Sequence, residues 1–267
     1  MTTYKGIKGF KVQSFTADPV PAIAGWSSGG NMGTGRRELG AANQAPGHSA
    51  GLVFGGYKSP AGPTNATEEY NGTSWTAGGN MTTARQRIAG GGTQTAGLAF
   101  GGGYPPTTHA ATEEYDGSYW TNGGNLGTAR GRLGGSGIQT AGLAFGGSTV
   151  AEPPSKTAAT EEYDGSSWTA GNNVPSTRRA HAAFGTLTEG AVCGGYNPSA
   201  GSLTQTVIYD GTNWSISANL ASGRNGLGGS GTQAAGLAAG GHPALTTTEE
   251  FTGPSTTLSS AKTVDFD

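Results

Sequence analysis

The sequence predicts an all-β protein, a five-bladed β-propeller with four-stranded blades, and three observations carry the prediction. Five tryptophans, Trp26, Trp75, Trp120, Trp168 and Trp214, recur 45 to 49 residues apart. Each is followed five residues later by an asparagine (Asn31, Asn80, Asn125, Asn173, Asn219) and ten residues later by an arginine (Arg36, Arg85, Arg130, Arg178, Arg224). Between successive tryptophans lie an apolar run ending in paired glycines and then an aromatic, usually within TEEY. A register held through five copies at this period is the signature of a solenoid or of propeller blades.

Composition agrees with one domain of short strands and tight turns. The 267 residues include 51 glycines, a third are hydrophobic and 12% are charged. The ordered tryptophans argue against a disordered low-complexity chain. Formal net charge is −2, so no general attraction to nucleic acid or to a membrane surface is expected. The start MTTYKGIKGFKVQSF lacks the long apolar run of a signal peptide and no segment reaches membrane-spanning length, so the expectation is a product made in the cytoplasm without membrane insertion.

Taken in order, residues 1–20 lie outside the repeat and carry three of the six lysines, Lys5, Lys8 and Lys11. They read either as an edge strand or tail, or as an arm docking into a larger assembly. Residues 21–256 form the propeller. In each repeat the first strand follows the arginine, as in GRLGGSGIQ, and the second is GLVFGG, GLAFGG, AVCGG or GLAAGG. The third carries Tyr70, Tyr115, Tyr163, Tyr209 or Phe251, and the fourth carries the tryptophan. Asn71-Gly72, Asp116-Gly117, Asp164-Gly165 and Asp210-Gly211 join third to fourth and predict tight two-residue hairpins with positive φ at both positions. The last repeat has Thr256 where a tryptophan belongs, so the Trp26 strand is expected to complete blade 5 and close the ring. Residues 257–267 remain as a tail or extra strand.

Glycine pairs followed by an aromatic, a short gap and a tryptophan resemble the kelch repeat, over roughly residues 22 to 256. Arg178 with His181 resembles the arginine and histidine that open many kelch blades. The opening YKGIKGFKVQSF, with TEEYNGTSWTAGGN and TEEYDGSSWTAGNN, resembles kelch-like virion and tail-fibre-type proteins of marine bacteriophages. That resemblance implies a virion component, anchored to other virion proteins through residues 1–20, able to meet a host surface glycan and to assemble as a homo-oligomer. The alternative is a free-standing lectin or protein-interaction propeller.

Candidate functional residues are few. The tryptophans read as blade packing, because each can bury about 150–250 Å². The pattern places the five arginines at the entry to the innermost strand, where they either ring a channel mouth as an anion site or tie neighbouring blades. The glutamate pairs Glu68-Glu69, Glu113-Glu114, Glu161-Glu162 and Glu249-Glu250 face opposite ways on a strand and so form no two-carboxylate catalytic site. Blade 4 has Val207 and Ile208 there, which excludes an Arg–Glu bridge common to every blade. His48, His109, His181 and His242 occupy unlike repeat positions, which argues against a shared metal site, and Cys193 reads as a buried side chain. Neither a cofactor nor an enzymatic set of nucleophile, base and orienter is visible. What varies is the connection from glycine pair to third strand: YKSPAGPTN, GYPPTTHA, STVAEPPSKT, YNPSAGSLTQ and HPALT. Variable loops on a rigid scaffold are where binding residues sit, and Tyr57, Tyr104, Tyr196 and His242 at their starts are the candidate sugar-stacking residues.

Overall fold

The computed structural model describes residues 28–44, 49–104, 106–149, 156–243 and 245–253. It is all-β, with five antiparallel sheets following one another as propeller blades. Blade 1 contains Gly40–Ala41, Gly51–Phe54, Thr67–Tyr70 and Trp75–Ala77; blade 2 contains Ala89–Thr93, Ala96–Phe100, Thr112–Tyr115 and Trp120–Asn122. Blade 3 is Gly134–Ile138, Ala141–Phe145, Thr160–Tyr163 and Trp168–Gly171; blade 4 is Ala182–Gly185, Gly190–Cys193, Thr206–Tyr209 and Trp214–Ile216. Blade 5 has three described strands, Gly228–Gly231, Ala235–Ala239 and Thr248–Thr252. The Trp26 strand expected beside them lies outside the described residues, as do residues 1–20 and 257–267.

The first strands pack in succession around the axis, that of blade 1 against blade 2 and so on to blade 4 against blade 5. Crowding there explains the glycine-rich stretches AGGGT and GGSGI: a side chain at Gly91 would strike the Gly137 carbonyl oxygen of the next blade at 2.7 Å. Two such strands approach closely only if one side is bare backbone.

Aromatic packing joins the blades. Trp120 of blade 2 meets Phe54 of blade 1 at 5.0 Å, Trp168 meets Phe100 at 4.8 Å and Trp214 meets Phe145 at 5.1 Å. Each indole N–H also donates to a buried threonine of the preceding blade, Thr67, Thr112 or Thr160, at 2.8–3.0 Å. An indole buried this way keeps its one donor satisfied, which makes the pair specific as well as apolar. Between blades 4 and 5 the phenylalanine and threonine positions are Cys193 and Thr206, and with Phe251, at the tyrosine position of blade 5, they border a cavity of about 100 Å³. Gly29 and Gly30 lie against Tyr70 and Thr73 of blade 1, as Gly78 and Gly79 lie against Tyr115 and Ser118 of blade 2.

One prediction needs correction. The loop from third to fourth strand has four residues, because Tyr115 pairs directly with Trp120 and Tyr163 with Trp168. In it Gly117 has φ 93° while Asp116 stays out of the left-handed region. The aspartate works through its side chain: Asp116 Oδ1 accepts from the N–H groups of Ser118 and Tyr119 at 2.8 and 2.7 Å. A side-chain-closed turn replaces the two-residue hairpin; the strands are nevertheless adjacent and antiparallel, as the pattern implied.

Candidate functional site: the axial cup and the loop face

The repeat arginines build the site without lining it. Arg85 is fully buried. Its guanidinium donates to the Gly101 and Ala111 carbonyls at 2.7 Å each and to Glu113 at 2.8 Å, all in blade 2. Its own carbonyl accepts from Gly56 of blade 1 at 2.8 Å. That approach requires the glycine pair: Gly55 and Gly56 have φ of 61° and 103°, and a side chain at Gly55 would strike the same oxygen. Arg36, Arg130 and Arg224 repeat the arrangement with Glu68, Glu161 and Glu249. In blade 4, where the glutamate is lost, Arg178 uses Gln205 and Ser176. Burial pulls the pKa of Arg36, Arg85 and Arg130 below the ordinary arginine value, against the carboxylate beside each, and that of Arg178 down to about 10. The anion ring of arginines at the channel mouth is therefore corrected: these side chains tie each blade internally and hold the preceding one.

The mouth is formed two residues further along. Glu38, Arg87, Arg132, Ala180 and Gly226 occupy one position in the five repeats, all with φ between 52° and 66°. Arg87 N–H donates to Glu38, Arg132 to Arg87, Ala180 to Arg132 and Gly226 to Ala180, at 2.6–3.0 Å. This belt of backbone hydrogen bonds passes from blade to blade around the axis and fixes the left-handed conformation, which costs a non-glycine residue about 1–2 kcal/mol. Below the belt comes a second tier, Leu39, Ile88, Leu133, His181 and Leu227. The two tiers line an open cavity of about 470 Å³. Deeper on the axis, Asn43 and Gln44 leave blade 1 and reach across, Asn43 to the Gly135 carbonyl of blade 3 at 3.2 Å and Gln44 to the Gly185 carbonyl of blade 4 at 2.6 Å. They obstruct the channel beneath the cavity, which makes it a cup.

The cup is not five-fold. Glu38 and Arg87 form an ion pair at 3.0 Å with side chains 28% and 14% exposed, Arg132 follows on blade 3, and blades 4 and 5 contribute only Ala180 and Gly226. His181 replaces the aliphatic residue of the other four repeats. It stacks on Phe145 at 5.3 Å, and neither ring nitrogen makes a well-formed hydrogen bond. Burial, then the charges of Arg178 and Arg130, push its pKa down to about 3, so it is neutral.

The variable loops surround the cup. Three are small hairpins, Tyr57–Lys58 with Gly62–Pro63, Gly103–Tyr104 with Thr107–Thr108, and Tyr196–Asn197 with Gly201–Ser202. Backbone bridges pair Tyr57 with Arg37, Tyr196 with Arg179 and His242 with Asn225, each partner standing directly after a repeat arginine. The loops and the arginine-bearing connections therefore share one face, as the sequence implied. The guanidiniums of Arg37 and Arg179 lie 4.8 and 5.2 Å from the ring centres of Tyr57 and Tyr196, leaving both tyrosines half-buried, while His242 is exposed. Tyr57, Tyr104, Tyr196 and His242 are thus on one face but on four different blades, and no ring contact joins Tyr57, Tyr196 and His242 among the described residues.

Sequence reasoning missed the mouth residues because it followed what is constant. The informative signal was the column two places after the arginine, which reads Glu, Arg, Arg, Ala, Gly inside an otherwise fixed frame. Among the described residues no cluster of three or more metal-ligating side chains occurs. The fold and this face define the class: a five-bladed β-propeller with one loop-rimmed axial cup. The chain matches no protein-family model and no curated protein.

Proposed function

We propose that this is a non-enzymatic binding propeller, a component of a phage virion of tail-fibre or decoration type, that takes a host surface glycan on its loop face. The observation that carries the binding reading is the coincidence on one face of three loop hairpins, pinned to the blade connections, and an axial cup. Rigid loops around a concavity lose little entropy on binding. The virion assignment is supported by the resemblance of the YKGIKGFKVQSF opening and the TEEY phrases, and residues 1–20 are proposed as the segment that docks to other virion proteins.

Two experiments test it. A glycan array and whole-cell binding assay on the purified protein should show saturable binding to surface polysaccharide; Tyr57→Ala with Tyr196→Ala should weaken it with little change in melting temperature. Binding unaffected by the tyrosine pair removes the loops from the site. Deletion of residues 1–20 should abolish incorporation into particles while the propeller still folds; unchanged incorporation sinks the anchor and favours a free-standing lectin.

A further inference from the structure

We infer that the axial cup is a subsite for a carboxylate-bearing sugar, a hexuronate unit within an acidic polysaccharide; this rests on reading the loop face as a binding face. The argument begins from the belt. Its five residues share one left-handed backbone conformation, and glycine, present at Gly226, satisfies that conformation best. Glu38, Arg87 and Arg132 are thus poor choices for the fold, and their side chains line the cup.

The chemistry of the lining is specific. Arg87 and Arg132 stand on adjacent blades; Arg87 Nε faces Glu38 and its Nη1 is buried, so a carboxylate in the cup would meet Arg87 at Nη2 and Arg132 at its guanidinium. Glu38, held at 3.0 Å from Arg87, is an acceptor for sugar hydroxyls. Ile88 and Leu133 beneath offer an apolar surface to the C–H face of a pyranose ring. Ala180 and Gly226 leave the opposite wall open, so a chain can enter from one side. In the floor, His181 is neutral and over nine-tenths buried, and neither ring nitrogen has accessible surface, so it gives the cup an uncharged wall rather than a donor or acceptor. A cavity of about 470 Å³ falls within the range of small-molecule sites, roughly 300–1,000 Å³.

The test is titration calorimetry of the full chain with trigalacturonate, its methyl ester and a neutral galactose trisaccharide. Saturable binding of the acid, with at least a tenfold loss for the ester and the neutral sugar, is expected. Arg132→Gln should weaken trigalacturonate binding tenfold or more while leaving the melting temperature unchanged, and Arg87→Gln, which also breaks the pair with Glu38, should weaken it while the far-ultraviolet dichroism stays that of the parent. Equal binding of acid and ester, no binding of the acid, or Arg variants that bind as the parent does would each overturn the proposal. If a sulfated trisaccharide binds and the hexuronate does not, the cup selects another anion and the carboxylate assignment falls. Loss of glycan binding in the Tyr57→Ala, Tyr196→Ala pair with the Arg variants unaffected would keep the loop face and remove the cup.

Discussion

Single residues in this protein carry two kinds of duty that the repeat pattern makes easy to separate. The second glutamate of three of the pairs accepts from the tyrosine of the next blade: Tyr163 donates to Glu114 at 2.6 Å, Tyr115 to Glu69 and Tyr209 to Glu162. Burial, with the nearby carboxylate, raises the hydroxyl pKa of Tyr115 and Tyr163 to about 12. In blade 4 the glutamate is Ile208, and the residue of blade 5 at the tyrosine position is Phe251; both pack against the same apolar cluster between blades 4 and 5. Lost acceptor and lost donor are matched, which is the cheap way to delete a buried hydrogen bond. Accordingly, Tyr209→Phe alone should cost about 1–3 kcal/mol in denaturant unfolding, and adding Glu162→Ile should recover part of that loss. A double variant no better than the sum of the singles would show the pairing to be accidental.

His181 is the residue whose titration should be visible in stability. Its folded pKa, near 3, lies below the value of about 6.5 expected when unfolded. The unfolded chain therefore takes a proton that the folded chain refuses. The stability associated with His181 is complete above pH 6.5 and falls as pH drops toward 3. His181→Leu, the residue found at Leu133 and Leu227, should flatten the melting temperature between pH 7 and 4. An unchanged slope would assign the acid sensitivity to other groups.

At the scale of the element, the unit of cohesion is the tryptophan of one blade seated on the preceding one. Trp168→Ala removes its contact with Phe100 and its bond to Thr112 and should cost about 3–5 kcal/mol. Trp168→Phe, which keeps the ring but not the donor, should cost less. Between blades 4 and 5 the corresponding phenylalanine and threonine positions, Cys193 and Thr206, border a cavity together with Phe251; if the Trp26 strand is the occupant, Trp26→Ala should lower the melting temperature about as much as Trp168→Ala does. A silent Trp26→Ala would assign that space to something else. The turn aspartates behave more locally. Asp164, held at about pKa 2 first by the N–H of Ser167 and then by bonds from Ser166, closes an exposed loop, and its replacement should disturb register there without unseating the blade.

At the scale of the whole molecule, the buried arginines hold the assembly together by reaching inward with the side chain and backward with the carbonyl. Glu113→Ala leaves the Arg85 charge buried without its carboxylate and should cost about 3–5 kcal/mol. Blade 4, which pairs Arg178 with Gln205, shows that the frame tolerates a neutral acceptor, so Glu113→Gln should be milder. Measured by denaturant unfolding, equal losses for the two variants would mean that charge, rather than hydrogen bonding, is what the position supplies.

The repeat by itself determined the number of blades, the order of strands within each, the packing role of Trp120, Trp168 and Trp214, and the face on which the variable loops emerge. These follow from periodicity and glycine placement, which are local and repeat five times. Only the tertiary structure decided where the charges lie. The invariant arginines are drawn inside the blades because glycine carbonyls and a glutamate distant in sequence satisfy them there. Glu38, Arg87 and Arg132 reach the axis because a belt of backbone hydrogen bonds between blades holds them in a left-handed conformation that no single repeat would adopt alone. The cup likewise depends on Asn43 and Gln44 crossing from one blade to two others, a contact between residues as much as 141 apart in sequence and absent from any one repeat's pattern.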